Sequence, residues 1–138
     1  MTEEKPCPFC IENGQVEIIA SEEYGYLIAQ KQDGVVVPGR YLIVPYEHLA
    51  SMAELPDEWW RTVKGLIRKL PPEARADINY SHNEGLGAGQ RVPHTHGWLI
   101  QRRGEEGLPS HTFGMSKLID IVKEQSARIT ELLARVKA

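Results

Sequence analysis

The sequence is poor in cysteine and has no long apolar segment. Only two cysteines occur among 138 residues, and they stand three positions apart. Such a pair is too close for a structural disulfide of a secreted protein, and it is typical of a metal clip or a redox pair. No apolar run approaches the roughly 18 residues that a membrane helix needs, and residues 1–6 are not followed by the apolar stretch of a secretory signal. The sequence therefore predicts a soluble, cytoplasmic protein that does not enter a membrane.

The chain also has no excess of one charge. Its 16 basic and 19 acidic residues give a formal net charge of -3, which provides no electrostatic basis for binding a nucleic-acid backbone. Any recognition of phosphate must be local. With 41% hydrophobic residues, a chain of this length can bury one core, so a single domain over residues 1–138 is expected.

Apolar residues recur with the periods of strands and helices along most of the chain. Strands are predicted at five places, 16–19, 24–29, 41–44, 77–81 and 92–101. The first two would form an opening hairpin. Pro56 begins a predicted amphipathic helix that ends before Pro71, and a second helix is predicted over about 115–137. Because strands and helices do not alternate regularly, the pattern favours an α+β fold with an antiparallel sheet and helices on one face.

Two of the five histidines stand close together, at His94 and His96. Side chains two apart in a strand leave the same face, about 6.6 Å apart at about 3.3 Å per residue. Two imidazoles at that distance can share a metal, or one can bind and the other react. The alternative is a pair of surface histidines on an exposed sheet face. Trp98 follows on the same face and would point into the same site.

A glycine-rich segment precedes these histidines. Residues 83–90 contain three glycines and end in Gln90, and the backbone N–H groups of such a loop can approach a phosphate without obstruction. No helix is predicted after the segment, so it is neither a P-loop nor a dinucleotide fingerprint. Alone, the glycines would favour a flexible connection. Their position beside His94 and His96 favours phosphate binding.

Cys7 and Cys10 offer two thiolates at the spacing found in zinc sites. A closed zinc site needs four ligands, so two histidines would have to complete it. His48, which follows the third predicted strand, is a candidate from a distant part of the chain, or else a solvated loop histidine. A thioredoxin-like redox pair is the alternative, although that motif follows a strand and opens a helix. His82 and His111 are assigned to the surface or to a sheet edge.

Taken together, these residues resemble the signature of the histidine-triad (HIT) family. The segments that carry the resemblance are Asn83-Glu84-Gly85, Ala88-Gly89-Gln90, Val92 and His94-Thr95-His96. Pro38-Gly39 with the run from Tyr41 to Pro45 and His48 resembles the family's second signature. The cysteine pair is similar to that of its zinc-binding bacterial branch. The resemblance spans roughly residues 7–103.

The resemblance implies a HIT-like fold, a five-stranded antiparallel sheet with two main helices. It further implies a homodimer in which two such sheets join into a larger continuous sheet. It also implies one structural zinc ion in each chain. The zinc ligands would be Cys7, Cys10, His48 and His94.

The activity implied by the resemblance is that of a nucleotidyl hydrolase or transferase with His96 as its nucleophile. A neutral imidazole is nucleophilic at physiological pH and can form a covalent nucleotidyl intermediate that water later cleaves. Substrates would be nucleoside phosphoramidates or dinucleoside polyphosphates, with a purine nucleotide as the expected ligand.

The resemblance also places groups around that substrate. Backbone N–H groups near Gly89, together with Asn83 and Gln90, would meet the phosphate and stabilise charge as it develops. The base and ribose would lie near Leu27 and Gln32 on the opening hairpin.

Three residues depart from the family pattern. Trp98 stands at the third triad position, and its indole can donate a hydrogen bond but cannot shuttle a proton. Arg40 stands where the second signature usually has a histidine, and Arg91 where a small hydroxyl residue is common. Both arginines could bind phosphate oxygens. Trp98 leaves a second interpretation open, a nucleotide-binding regulatory protein of the same fold that has weak turnover or none.

Overall fold

The computed structural model describes residues 6–102, 126, 128 and 130–137. The chain divides into two compact units, residues 1–103 and residues 104–138. In the second unit the described residues are helical, and the Thr130 hydroxyl donates to the Ser126 carbonyl at 2.9 Å. This agrees with the terminal helix predicted over 115–137, the rest of which, like His111, lies outside the described residues.

The first unit is built on one five-stranded antiparallel sheet, as expected. Its strands are β1 (Ala20–Ser21), β2 (Gly25–Gln32), β3 (Val35–Pro45), β4 (Ile78–His82) and β5 (Gly97–Gln101). Their order across the sheet is β1-β2-β3-β5-β4, and all neighbours are antiparallel. Helix α1 (Trp59–Lys69) lies between β3 and β4 in the chain. The predicted α+β class and sheet are therefore confirmed.

The predicted opening hairpin is present, but its first strand is β1, which pairs Ala20 with Leu27 and Ser21 with Tyr26, and not residues 16–19. A longer hairpin joins β2 and β3. Asp33 (φ 52) and Gly34 (φ 78) both have positive φ, which is the backbone of the tight turns that match strand twist. Residues 16–19 are not a strand. Ile18 and Ile19 are 42% and 52% exposed, so their branched side chains do not mark the buried face on which the strand prediction depended.

The two faces of the sheet have different coverings. On the face called here the helix face, α1 packs against a buried cluster. Its residues are Leu27, Ile43, Trp59, Val63, Leu66, Leu70 and Leu99. On the opposite face, called the site face, a second cluster packs against the amino-terminal segment. Its buried residues are Tyr26, Ile28, Leu42 and Val44, with Phe9, Val16, Tyr46 and Trp98 partly buried against them.

Helix α1 begins three residues later than predicted, at Trp59. The Trp59 N–H donates to the Pro56 carbonyl at 2.9 Å, so Pro56 lies in the turn before the helix. Trp59 is buried and the adjacent Trp60 is 54% exposed, as expected for neighbouring residues of an amphipathic helix. No helix in the described part of the chain is long and apolar enough to cross a membrane.

Strand β5 begins at Gly97, five residues later than the predicted strand. His94, Thr95 and His96 therefore lie in irregular backbone immediately before the strand. All three side chains are buried. The rings of His94 and His96 both contact the Phe9 ring, with centroid distances of 6.0 and 4.9 Å. Both imidazoles therefore still face the same part of the molecule, the amino-terminal segment.

Candidate metal centre and active site

Two cysteines and two histidines from distant parts of the chain meet on the site face. Cys7 and Cys10 lie just before a 3-10 turn at Ile11–Asn13, and the histidines are His48 and His94. Their ligand atoms all lie within 4.8 Å of one another. His48 Nδ1 is 3.2 Å from Cys10 Sγ and 3.2 Å from His94 Nδ1, and Cys7 Sγ is 3.4 Å from His94 Nδ1. These are the four residues predicted as metal ligands.

The spacing and chemistry of these atoms fit a tetrahedral metal ion. Zinc bound at about 2.0–2.1 Å to nitrogen and about 2.3 Å to sulfur holds its ligand atoms roughly 3.3–3.8 Å apart. His94 Nε2 donates to the Pro45 carbonyl at 2.9 Å, which leaves the Nδ1 lone pair facing the cluster. Such an outer hydrogen bond is what orients a ligating histidine. The four residues can therefore hold zinc.

The cysteines are free thiols, and Cys10 is buried. Burial, together with the neighbouring Cys7, raises the pKa of Cys10 to about 11. The convergence of both thiols with two histidines favours a metal site over the thioredoxin-like alternative. A bound cation would instead favour the thiolate that a metal requires.

His96 lies beside the metal cluster but does not belong to it. Its Nδ1 is 2.9 Å from the His94 carbonyl, so Nδ1 carries the proton and donates. Nε2 receives no hydrogen bond from the described residues. Burial lowers the pKa of His96 below its usual value, although the bond to the His94 carbonyl opposes this. A neutral imidazole with a free Nε2 is the form that can attack an electrophile.

His96 lines a cavity of about 700 Å³ on the site face. This volume suits a small-molecule ligand of nucleotide size. Apolar residues from the amino-terminal segment and from β2 and β3 make most of its wall, and polar groups stand at a few positions. The main lining residues are Pro8, Phe9, Val16, Ile19, Ile28, Gln30, Tyr41, Leu42, Gly89, Arg91, His96 and Trp98.

The structure separates the predicted substrate-binding residues into two sets. Gly89 and Arg91 line the cavity, whereas Asn83, Arg40 and Gln32 are absent from its wall. Leu27 is fully buried in the core on the helix face. Because successive strand residues point to opposite faces, its neighbour Ile28 and then Gln30 line the cavity in the place expected for Leu27 and Gln32.

Gln90 is buried and braces the glycine-rich loop. Its Oε1 accepts from the Gly85 N–H at 2.8 Å, and its Nε2 donates to the carbonyls of Ala50 and Val92 at 3.2 and 3.0 Å. Both amide hydrogens are thereby used. The Gly89 N–H likewise donates within the loop, to the Leu86 carbonyl. Gln90 therefore shapes the loop and has no amide hydrogen left to donate to a phosphate.

Comparison with known proteins places this site in a family. No protein-family model matches the chain. It is 30% identical over 131 residues to the adenosine 5'-monophosphoramidase of Schizosaccharomyces pombe, across 89% of this chain and 98% of that protein. It is also 30% identical over 108 residues to an uncharacterized HIT-like protein of Mycoplasma pneumoniae, across 74% of each chain. The chain belongs to the histidine-triad (HIT) family.

A solved structure of another HIT protein has the same fold. A Zn-bound histidine triad family protein from Mycobacterium smegmatis superposes with a TM-score of 0.59, covering 75% of this chain and 80% of that chain at 24% identity.

In the present chain, Trp98 occupies the third position of the triad. It lies in the cavity wall beside His96. The two ring centroids are 5.9 Å apart. Among the described residues, two buried side-chain polar atoms have no hydrogen-bond partner, Trp98 Nε1 and Gln30 Oε1. Both belong to residues of the cavity wall. A buried donor and a buried acceptor without partners are costly unless a ligand satisfies them.

His82 lies at the end of β4, an edge strand of the sheet, as predicted. The sequence interpretation did not foresee that it is half-buried beside the triad, where burial and then the proximity of His96 lower its pKa. Its Nε2 lies 2.5 Å from the Thr95 hydroxyl, inside the HIT signature. The only sequence signal was its spacing, two residues after Tyr80 on the same strand face.

Proposed function

We propose that this HIT protein is a nucleotidyl hydrolase that acts on nucleoside phosphoramidates, with His96 as nucleophile. The observation that carries the proposal is the state of His96, a neutral imidazole whose Nδ1 is held by the His94 carbonyl and whose Nε2 is free beside the cavity. The similarity to an adenosine 5'-monophosphoramidase supports an adenosine nucleotide as substrate. Dinucleoside polyphosphates are the second class of candidate substrate.

The proposed reaction has two steps. Nε2 of His96 attacks the α-phosphorus, the phosphorus–nitrogen bond to the leaving group breaks, and the amine departs with a proton taken from solvent water. Water then attacks the nucleotidyl-histidine, releasing the nucleoside monophosphate and regenerating the imidazole. Transfer to another nucleophile in place of water would make the same site a transferase.

The proposed ligand lies along the cavity with its phosphate near His96. Arg91, which is exposed at the rim, can neutralise the phosphate, and Trp98 Nε1 can donate to one of its oxygens. Ile28 and Phe9 provide apolar surface for the base. Gln30 Oε1 can accept from a hydroxyl or an exocyclic amine of the nucleoside.

Zinc is proposed as a structural ion. Cys7, Cys10, His48 and His94 would hold it, and it would contribute folding energy by tying the amino-terminal segment to the ends of β3 and β5.

A homodimer is also proposed. Among the described strands, β4 lies at an edge of the sheet. The ring of the exposed Trp60 contacts the ring of Tyr80 on this strand.

The experiment that tests the proposal is incubation with adenosine 5'-phosphoramidate, followed by mass spectrometry of the intact protein and assay of released nucleoside monophosphate. An adenylyl adduct on His96 that decays as product appears supports it. Binding of the mononucleotide without adduct or product would favour the second candidate, a regulatory nucleotide-binding protein.

Charge reversal at Arg91 should weaken nucleotide binding. Arg91→Glu removes a charge-assisted contact and places a carboxylate near the phosphate, so affinity should fall by about 1.5–3 kcal/mol, or at least about tenfold. Titration calorimetry at two salt concentrations measures the effect, because salt screens such contacts. Arg40→Glu makes the same charge change on an exposed residue outside the cavity wall and should have a smaller effect. Equal affinities of the parent and Arg91→Glu would show that this guanidinium does not meet the ligand.

Trp98 should make the rate depend strongly on the leaving group. An indole cannot return a proton to a departing amine, so substrates whose leaving group needs no proton should react far faster than alkyl phosphoramidates. Trp98→His should narrow that difference, and Trp98→Phe, which keeps an apolar ring without the N–H, should not. The measurement is kcat/KM for an aryl-leaving-group ester and an alkyl phosphoramidate with each variant. If the parent cleaves both equally fast, another acid serves the site.

A further inference from the structure

A chain of hydrogen bonds runs behind the triad, on the helix face of the sheet. Trp59 Nε1–H donates to the Tyr80 hydroxyl oxygen at 3.2 Å, and that hydroxyl is 3.3 Å from His82 Nδ1. His82 Nε2 is in turn 2.5 Å from the Thr95 hydroxyl. The chain thus connects the first residue of α1 to the residue between the metal-cluster histidine and the proposed nucleophile.

The strand register explains why these side chains can meet. Tyr80 and His82 are two apart on β4 and share a face, and His82 is paired with Gly97 on β5. A Cβ at Gly97 would lie 2.6 and 2.7 Å from Cε2 and Cζ of the Tyr80 ring. The lack of a side chain there gives the tyrosine the space to reach His82.

His82 can donate and accept at the same time, because it is neutral at neutral pH. Burial lowers its pKa, the nearby His96 would lower it further when protonated, and Glu84 partly opposes the shift. A neutral imidazole has one N–H and one lone pair, so it can link a hydroxyl on each side. Burial also raises the pKa of Tyr80, which keeps its hydroxyl protonated.

Thr95 depends on such contacts for its position. It is fully buried, and it lies in irregular backbone where no strand ladder fixes it. Its N–H donates to the Leu49 carbonyl at 2.6 Å, and its hydroxyl meets His82. Because His96 is the next residue, any shift of Thr95 moves the base of the His96 side chain.

We propose that His82 is a positioning residue that anchors Thr95 and thereby aims His96 into the cavity. The proposal rests on the proposed function only for the role of His96 in turnover; the anchoring itself is a separate property. Positioning of this kind affects the rate strongly, since a displacement of about 1 Å in a reacting group can cost roughly a hundredfold. His82 itself is neither a residue of the cavity wall nor one of the four residues of the metal cluster.

The test uses the zinc-loaded full-length protein and a graded set of variants. His82→Leu removes both hydrogen bonds at similar volume, and His82→Gln restores an amide that can reach Thr95. Thr95→Val removes only the hydroxyl. Leu70→Ala is the matched control, because it destabilises the same core without touching the chain of hydrogen bonds. The readouts are kcat and KM for adenosine 5'-phosphoramidate, metal content, and amide hydrogen exchange at Thr95.

His82→Leu should lower kcat by about tenfold or more while KM changes less than about twofold, because ground-state binding is kept and alignment is lost. His82→Gln should recover most of the rate, and Thr95→Val should add little to His82→Leu. Exchange at Thr95 should quicken about tenfold in His82→Leu but not in Leu70→Ala under conditions where both are folded. Metal content should not change.

Equal kcat in His82→Leu and the parent would overturn the proposal, and so would a loss of rate that Leu70→Ala reproduces. If the parent itself has no turnover, the proposed function fails. Amide hydrogen exchange at Thr95 is then the measurement that tests whether His82 anchors Thr95. In that case faster exchange at Thr95 in His82→Leu supports the anchor, and unchanged exchange refutes it.

Discussion

Replacing His96 with asparagine is expected to abolish both adduct formation and turnover. Asparagine keeps a polar side chain of similar size that can still donate to the His94 carbonyl, but it provides no nucleophilic nitrogen. Removal of an enzyme's nucleophile costs several orders of magnitude in kcat, so a fall of at least about 10³-fold is expected. Affinity for the mononucleotide should change little, because the cavity wall stays nearly complete. Intact-protein mass spectrometry and a single-turnover assay measure the two effects.

His111→Asn is the matched control for this experiment. It makes the same chemical change at a histidine that has no proposed role, and it should retain the labelling and the rate of the parent. A parent protein that turns over substrate at the same rate as His96→Asn would show that another group is the nucleophile. An adduct that forms in the parent but never decays would support nucleotide transfer or storage in place of hydrolysis.

Loss of the proposed zinc ion is expected to have the largest effect on stability. Two thiols and a buried imidazole converge at Cys7, Cys10 and His94. Without a cation, only weak sulfur–nitrogen contacts of 3.4 and 3.6 Å join the thiols to that imidazole. Structural zinc sites contribute directly to folding free energy. Cys10→Ala, or treatment of the parent with a strong chelator, should lower the melting temperature by roughly 10 °C or more, as about 3 kcal/mol would in a domain of this size.

The same change should disturb the active site. The Tyr26 hydroxyl donates to the Phe9 carbonyl, and the Phe9 ring packs on His96, so the cysteine segment forms one wall of the cavity. Nucleotide affinity should therefore fall when the metal is removed. His48→Ala is informative because His48 is exposed and lies outside the core, so any loss of stability reports the metal site rather than packing. A metal-free protein of unchanged melting temperature, or full metal content in His48→Ala, would contradict the ligand assignment.

Most of the architecture could be predicted because it follows from local patterns. The runs around Leu42 and Leu99 are apolar and rich in branched residues, and the helical spacing of Trp59, Val63 and Leu66 gives α1 its buried side. The errors arose where local patterns are ambiguous. The branched residues Ile18 and Ile19 predicted a strand but are exposed, and the turn between β2 and β3 at Asp33–Gly34 stands in a stretch where Val35 and Val36 are exposed too.

The candidate site could likewise be predicted in part. Cys7, Cys10, His48 and His94 could be grouped from residue type, spacing and family resemblance, because zinc requires that chemistry whatever the surrounding fold. The choice between Leu27 and Ile28 could not be made in the same way. A shift of one residue in a strand reverses every side chain, and the register depends on pairing with a distant strand.

The sequence alone therefore determined the chemical inventory of this protein, its family, its antiparallel sheet and the residues able to hold a metal or attack a phosphorus atom. These depend on residue identity and short spacings, which a sequence states directly. Only the tertiary structure decided that Gln90 braces a loop, that Trp98 and Gln30 leave unpaired polar atoms at the cavity, and that His82 supports Thr95. Such roles depend on contacts between strands and loops that are far apart in the sequence, and these contacts are determined by the packing of the whole domain.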